Sequence, residues 1–148
     1  MSNFTIIKPL RSSDLAFRGE PKLEWIWQGY IAPGNVTLFT GLWKTGKTTL
    51  LALLLARRNA ACGLANSTPK LAGLDVKPGK TLVITEEDSS LWAQRFHRYN
   101  YTDQVYLISR PFNSIPSEEQ WRSLLDQVHV MHEAEAIDLL IADQVSQR

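Results

Sequence analysis

One glycine-containing stretch, residues 41–49, constrains most strongly what this chain can fold into. It reads Gly41-Leu42-Trp43-Lys44-Thr45-Gly46-Lys47-Thr48-Thr49. An apolar run that begins at Val36 precedes it, and a continuous apolar run over residues 50–56 follows it. The first run has the length of a strand, and the second has the composition of a buried helix. The pattern therefore predicts a strand over residues 36–40, a tight loop and a helix that begins at Lys47.

The loop also matches the spacing G-x-x-x-x-G-K-[ST], which is typical of loops that wrap a phosphate group. Gly41 and Gly46 permit backbone conformations with φ > 0, so that successive N–H groups can point inward. Lys47 is expected to reach the β- and γ-phosphates, and Thr48 offers a hydroxyl to Mg²⁺. The predicted nucleotide-binding set is Gly41, Leu42, Trp43, Lys44, Thr45, Gly46, Lys47, Thr48 and Thr49. The alternative is a ligand-free connection, but a chance match to this spacing is rare in a chain of this size.

Composition excludes several classes of protein. The 148 residues suit one domain, and 44% hydrophobic with 21% charged residues is typical of a globular protein. A net charge of +1 provides no global field that would attract nucleic acid. The single cysteine, Cys62, can form neither an intrachain disulfide nor a thiolate metal cluster, which favours the cytoplasm. The sequence has no signal peptide and no membrane-spanning run, so we expect a soluble protein.

The other apolar runs place strands and helices in alternation. Residues 1–24 lack a clear period and are interpreted as an arm, and residues 25–148 as the folded domain. The first helix is expected to end near Ala61, ahead of Gly63, and residues 66–80 have the composition of a loop. Strands are then predicted at 81–85, 105–108 and 138–143, with helices after Asp88 or Ser89 and after Ser117-x-x-Gln120. This alternation predicts the α/β class, with a parallel sheet flanked by helices.

Acidic residues follow two of the predicted strands. In a parallel sheet, ligands bind beyond the carboxyl ends of the strands, which is also where the glycine loop lies. Asp143 ends an apolar strand in the form of a Walker B aspartate, which holds Mg²⁺ directly or through water; an ordinary strand-end acid is the alternative. Glu86, Glu87 and Asp88 follow the 81–85 strand. One of these carboxylates can accept the proton of a water molecule that attacks the γ-phosphate.

Other side chains leave alternatives open. Arg95 can contact a phosphate or form an ion pair with Glu87. Trp25 or Trp27 can stack on a nucleotide base, although large aromatic side chains more often belong to a core. The histidines have no third ligand at metal spacing and are interpreted as surface residues.

Together these motifs resemble the RecA-like P-loop ATPases, in the branch of the RepA-type hexameric replicative helicase and its AAA-family ATPase relatives. The resemblance is carried by Trp27-Gln28-Gly29, Pro33-Gly34, residues 41–49, Val83-Ile84-Thr85-Glu86-Glu87-Asp88 with Arg95, and residues 139–143. It implies a RecA-like core and Mg²⁺-dependent ATP hydrolysis in a DNA helicase or replication-type ATPase. It assigns the catalytic carboxylate to Glu87, with Glu86 as the alternative, and a catalytic role to Lys47. The metal contacts that it implies are Thr48 and Asp143.

The resemblance also implies partners. Family members work as homo-oligomeric rings, with nucleotide between subunits, an arginine finger from a neighbour and single-stranded DNA in the channel. In the family, a further strand follows the position of Asp143 and lies beside the glycine-loop strand. Only residues 144–148 follow Asp143 here, so we expect a core that is incomplete at the C-terminus, as a fragment of a longer ATPase. The alternative functions are a non-catalytic nucleotide-binding module and a P-loop kinase of a small metabolite.

Overall fold

The computed structural model describes residues 11–14, 23–42, 44–59, 68–101 and 103–143. The helices within these ranges are α1 (Lys47–Arg58), α2 (Ser89–Tyr99) and α3 (Glu118–Glu135), with a short 3₁₀ turn at Ser12–Asp14. The strands are β1 (Lys70–Leu71), β2 (Leu74–Asp75), β3 (Lys80–Thr85), β4 (Val105–Ser109) and β5 (Ile137–Asp143). Most of the predicted arm, Trp43, and the predictions at Ala61, Cys62 and Gly63 lie outside the described residues.

The main sheet has three parallel strands in the order β4-β3-β5. All three correspond to strands predicted from apolar runs, and the predicted α/β class is confirmed. The register aligns the last residue of β3, Thr85, with Ser109 of β4 and Asp143 of β5. The carboxyl ends of the three strands therefore lie at one edge of the sheet, so the residues that follow each strand are close together.

Helices cover both faces of this sheet. On one face, Val83 packs in a cluster with residues of α1 and α2, namely Ala52, Leu55 and Trp92, together with Tyr101. On the other face, Leu82 and Ile84 pack against Leu124 of α3. Successive side chains of β3 point to opposite faces, which is why a continuous apolar run serves both layers. The result is a sheet between two helical layers.

The strand predicted at residues 36–40 is not formed, which corrects the sequence analysis. This segment carries no strand, and its apolar side chains face solvent, with Val36 99% and Leu38 85% exposed. The Thr37 hydroxyl donates to the backbone carbonyl of Tyr30 at 2.9 Å. A strand needs a neighbour to satisfy its backbone groups, and β5 is paired only with β3 among the described strands. β propensity alone therefore does not place residues 36–40 in the sheet.

Residues 66–80 were predicted to be a loop, but the described part, from residue 68, contains the antiparallel hairpin β1-β2. Ala72 and Gly73 form its two-residue turn with φ values of 52° and 81°. Two consecutive positive φ values fit the twist of a tight hairpin turn. Leu71 of this hairpin packs in a second cluster with Trp27, Leu54 and Val76. Trp27 is 7% exposed, so the prediction of a core role fits it better than base stacking.

Helix α1 ends at Arg58, before the predicted end near Ala61, because Asn59 adopts an extended conformation. Two arginines, Arg57 and Arg58, end this helix, and such a charged pair is typical of a helix that emerges from the core. Arg57 is exposed as expected, but the Arg58 side chain is only 1% exposed. A charge at that depth needs partners, and Arg58 has them on three sides.

The Arg58 guanidinium joins three segments of the fold. Its Nε donates to the Thr81 hydroxyl at 3.0 Å, its Nη1 donates to the Lys77 carbonyl at 3.1 Å, and its Nη2 forms an ion pair with Asp138. Burial lowers the pKa of Arg58, while the charge and hydrogen bond of Asp138 oppose that shift. A Cβ added at Gly79 would lie 2.7 Å from Arg58 Nη2, so glycine makes room for this contact. Arg58 therefore ties the end of α1 to β3 and β5.

Helix α3 begins with the predicted capping box. The Ser117 hydroxyl accepts from the Gln120 backbone N–H at 3.3 Å, and Gln120 Oε1 accepts from the Ser117 N–H at 2.9 Å. Of the large apolar side chains of α3, Leu124 is buried, whereas Trp121 and Leu125 are 37% and 56% exposed. Within the described residues, no helix has the length and hydrophobicity needed to cross a lipid bilayer.

Replacing Ser117 with Ala should lower the free energy of unfolding by about 1 kcal/mol, because it removes a side-chain acceptor from the first turn of α3. Urea denaturation followed by circular dichroism measures this loss. Ser123→Ala, at an exposed position within the same helix, is the matched control and should change stability little. Equal effects of the two substitutions would contradict a specific capping contribution.

Candidate active site

The glycine loop places the beginning of α1 at the carboxyl edge of the sheet. Gly46 holds the N-cap position with φ 86°, a conformation that glycine adopts without the penalty of a Cβ, and it provides no side-chain cap. The N–H groups of the first turn therefore keep their hydrogen-bonding capacity, and the helix dipole adds partial positive charge there. A loop of this geometry suits the binding of an anion such as a phosphate group.

Lys47 lies across the same loop. Its Nζ donates to the carbonyl oxygens of Gly41 and Leu42, each at 2.8 Å. The Thr45 hydroxyl donates to the Leu42 carbonyl at 2.7 Å. The ammonium group thus already points over the loop, where its contacts with carbonyl oxygens hold the loop in a folded-back form. Phosphate oxygens can replace those carbonyl oxygens as acceptors.

Thr48 lies opposite the end of β5. Its hydroxyl is 3.5 Å from Asp143 Oδ2, although 95 positions separate the two residues in sequence. Burial raises the pKa of Asp143, and the negative charge of Glu87 raises it further. The charges of Arg95 and Lys47 and the hydrogen bond of Thr48 act in the opposite direction. These four side chains are therefore near enough to Asp143 to shift its pKa, and the contact with Thr48 brings the end of β5 to the beginning of α1.

The main chain at Glu87 is fixed by the ends of two strands. Its N–H donates to the Thr85 hydroxyl at 3.1 Å, and its carbonyl accepts from the Ser109 hydroxyl at 2.7 Å. The Glu87 side chain forms two hydrogen bonds with Arg95, from Nη1 at 2.5 Å and from Nη2 at 3.1 Å. Of the two sequence alternatives for Arg95, the structure has the ion pair with Glu87.

The neighbouring acids have different environments. Asp88 is the N-cap of α2, where its carboxylate accepts from the Ser90 N–H at 3.0 Å, and these hydrogen bonds lower its pKa. Asp88 also forms an ion pair with Arg110 at 3.1 Å. The Arg110 Nε lies 3.4 Å from the carbonyl oxygen of Glu86. Of the three acidic residues, Asp88 therefore caps α2, whereas Glu87 is the one whose charge raises the pKa of Asp143.

Sequence reasoning missed Ser109 and Arg110. Ser109 is the last residue of β4, the strand next to β3, and Arg110 follows it. Because the carboxyl ends of parallel strands share an edge, the predicted end of β4 could have indicated both residues. Arg110 adopts φ 50°, an uncommon conformation for a residue other than glycine. Its backbone N–H donates to the Thr85 carbonyl at 2.7 Å, which turns the chain back over the edge.

The only candidate metal ligands in this arrangement are oxygen atoms. Within the described ranges, no group of three or more His, Cys, Asp or Glu side chains could hold a metal ion. Thr48 and Asp143 instead offer one hydroxyl and one carboxylate close together. A pair of hard oxygen donors of this kind is what Mg²⁺ takes from a protein when phosphates and water supply its other ligands.

A family model described as an AAA domain matches residues 6–147 of the chain. No curated protein and no solved structure matches it significantly. The family match covers the glycine loop, the Glu87 segment and Asp143, which are the parts that the structure brings together. The chain therefore belongs to the AAA domain family of P-loop ATPases, and this membership indicates nucleotide binding and ATPase activity in general.

Proposed function

We propose that this chain binds ATP with Mg²⁺ at residues 41–49 and hydrolyses the terminal phosphate. The proposal rests on one observation: Lys47, Thr48 and Glu87 all lie near Asp143 at the carboxyl edge of the sheet. They bring together a cation, two oxygen donors for a metal and a carboxylate that can accept a proton. Each of these groups has a task in phosphoryl transfer to water.

The phosphate chain binds along the loop and the first turn of α1. Backbone N–H groups of the glycine loop surround the β-phosphate, and Thr49 lines the same turn. Lys47 exchanges its contacts with the Gly41 and Leu42 carbonyls for phosphate oxygens. Its charge balances the negative charge that develops on the transferred group.

Thr48 and Asp143 would hold Mg²⁺, Asp143 either directly or through water. Their oxygen atoms lie 3.5 Å apart, close enough for both to serve one divalent ion. When bound, the ion draws electron density from the phosphate oxygens and so favours attack at phosphorus. The protein's part is to present these two oxygen atoms beside the loop.

Glu87 acts as the general base. Water attacks the γ-phosphorus, its proton passes to the Glu87 carboxylate, and the bond between the γ-phosphorus and the bridging oxygen breaks, leaving ADP and phosphate. Lys47 stabilises the charge on the transferred group during this step. The fixed main chain at Glu87 supports the assignment, since a base must keep one position relative to the phosphate.

Replacing Lys47 with Ala tests the proposed site by binding. We expect the dissociation constant for ATP to rise by about 10- to 100-fold, since hydrogen bonds to charged groups contribute roughly 1.5–3 kcal/mol. Titration with a fluorescent ATP analogue in the presence of Mg²⁺ measures the change. Lys70→Ala is the control, because Lys70 is an exposed lysine of the β1-β2 hairpin, outside the glycine loop, and its replacement should leave ATP binding unchanged. If both variants bound ATP as tightly as the wild-type chain, the phosphate site would lie elsewhere.

A non-catalytic nucleotide-binding module is the second candidate function. One observation favours it: both carboxylate oxygens of Glu87 already accept hydrogen bonds from Arg95, and a base must accept a proton from water. On this alternative the chain binds ATP and releases no phosphate. Steady-state phosphate release by the wild-type chain therefore separates the two functions.

The helicase or replication role is the finer part of the proposal. It is supported by the resemblance of the glycine loop, the Glu87 segment and residues 139–143 to the RepA-type branch. Ring assembly should appear as a multiple of the monomer mass in sedimentation analysis with ATP. Single-stranded DNA should stimulate phosphate release in the same protein. A monomer that ignores DNA would exclude this role and leave the general ATPase assignment unaffected.

A further inference from the structure

We infer that Arg95 is a positioning residue for Glu87, which fixes the carboxylate of the general base at the edge of the sheet. This inference rests on the proposed ATP hydrolysis and adds a role for a side chain on α2. The two parallel hydrogen bonds from Arg95 to the Glu87 carboxylate carry it. Arg95 acts through Glu87 and does not itself contact the nucleotide.

The geometry of the pair limits the freedom of Glu87. A glutamate side chain has three rotatable bonds, and an unpaired one samples many rotamers at a cost to any reaction that needs one of them. A guanidinium that donates to both oxygens sets the distance and also the plane of the carboxylate. Arg95 and Glu87 side chains are only 22% and 28% exposed, so water competes weakly for these hydrogen bonds.

Arg95 is itself held in place. Its guanidinium lies over the ring of Trp92, with 4.9 Å to the ring centre, and Trp92 is 3% exposed in the core between α1, α2 and the sheet. A planar cation on an aromatic face has a defined orientation as well as a favourable energy. The packed core therefore fixes the position of Arg95, and Arg95 in turn fixes the position of the Glu87 carboxylate.

The main-chain contacts of Glu87 do not orient its carboxylate, so Arg95 has this task. Thr85 and Ser109 fix the Glu87 backbone, but neither contact determines where the carboxylate points. Near attack on a phosphate, a displacement of about 1 Å can lower a rate by 10²-fold. The hydrogen bonds of Arg95 also leave further lone pairs on each carboxylate oxygen, so one stays available to accept a proton from water.

The test compares kcat and KM for ATP hydrolysis in Arg95→Met, Arg95→Lys and the wild-type chain. We expect Arg95→Met to lower kcat about 10- to 100-fold with KM nearly unchanged. Arg95→Lys should lie between the two, because an ammonium keeps the charge but cannot form two parallel bonds. Arg122→Met, at an exposed arginine of α3 that pairs with Glu118, is the matched control and should leave both constants unchanged.

A double variant separates positioning from direct contact with the nucleotide. In the Glu87→Gln background, Arg95→Met should lower single-turnover hydrolysis no further, since there is no base left to position. In the same background, ATP affinity measured by titration should change by less than about 3-fold. A weakening of ATP binding by 10-fold or more would instead mean that Arg95 binds phosphate, and it would overturn the inference.

The remaining outcomes are equally distinct. If Arg95→Met kept the wild-type kcat, the inference would be wrong while the proposed hydrolysis stood. If the wild-type chain released no phosphate, the proposed hydrolysis would fail, and the positioning role with it. Thermal unfolding of each variant shows whether it is folded. If Arg95→Met does not fold, Arg95→Gln and Arg95→Lys provide the same comparison, and an unchanged kcat in both overturns the inference.

Discussion

Replacing Glu87 with Gln should lower kcat for ATP hydrolysis by roughly 10²- to 10⁴-fold while leaving ATP bound. Glutamine has nearly the same shape as glutamate, but its amide does not accept a proton from the attacking water at neutral pH. ATP affinity should change little, because Lys47, Thr48 and the loop N–H groups carry the binding. Single-turnover phosphate release and an ATP titration on the same preparation measure the two effects.

Glu86→Gln is the matched comparison, since it changes the neighbouring acid of the same turn. Glu87 is the acid whose main chain and carboxylate are both held in one position, so Glu86→Gln should keep most of the turnover. The reverse result, with turnover lost in Glu86→Gln and kept in Glu87→Gln, would assign the base to Glu86. Loss of ATP binding in Glu87→Gln would contradict the separation of binding from catalysis.

Replacing Arg58 with Ala should lower the free energy of unfolding by about 2–4 kcal/mol, because it removes a buried side chain together with its hydrogen bonds and its ion pair with the partly exposed Asp138. The substitution also removes the partners of the Thr81 hydroxyl and the Lys77 carbonyl. Such a loss is a large part of the total stability of a domain of this size. Urea denaturation at neutral pH measures it, with an unchanged m value as the sign of an unchanged unfolding transition.

Two controls make this prediction specific. Arg57→Ala changes the exposed neighbouring arginine and should alter stability by less than about 0.5 kcal/mol. The double variant Arg58→Met with Asp138→Leu removes both charges, so it should be more stable than Arg58→Ala, which leaves Asp138 unpaired. Similar losses from Arg57→Ala and Arg58→Ala would contradict a buried structural role for Arg58.

The features predicted correctly from the sequence have local causes. The capping box at Ser117, the cap at Asp88 and the glycine loop are each specified by a few adjacent residues. The strand ends at Thr85 and Asp143 follow from apolar runs that stop at acidic residues. The rule that parallel strands share a carboxyl edge then predicts that Glu87 and Asp143 lie near the loop, and the structure has them within electrostatic reach.

The features that were predicted wrongly or left open depend on partners distant in sequence. Residues 36–40 have the composition of a strand, but pairing decides whether a strand forms, and no described strand pairs with them. Arg58 looks like a charged helix end, and only the packing of Asp138 and Thr81 around it explains its burial. The ion pair of Arg95 with Glu87 was one of two open alternatives, because helical spacing does not reveal which neighbour a long side chain reaches.

Phosphate release from ATP by the wild-type chain tests the central claim most directly. The assay follows inorganic phosphate over a range of ATP concentrations, with and without Mg²⁺, and with Lys47→Ala as the blank. The account predicts release that saturates with ATP, requires Mg²⁺ and falls to the blank in Lys47→Ala. ATP binding without any release above the blank would contradict it, and would make the chain a nucleotide-binding module in place of an ATPase.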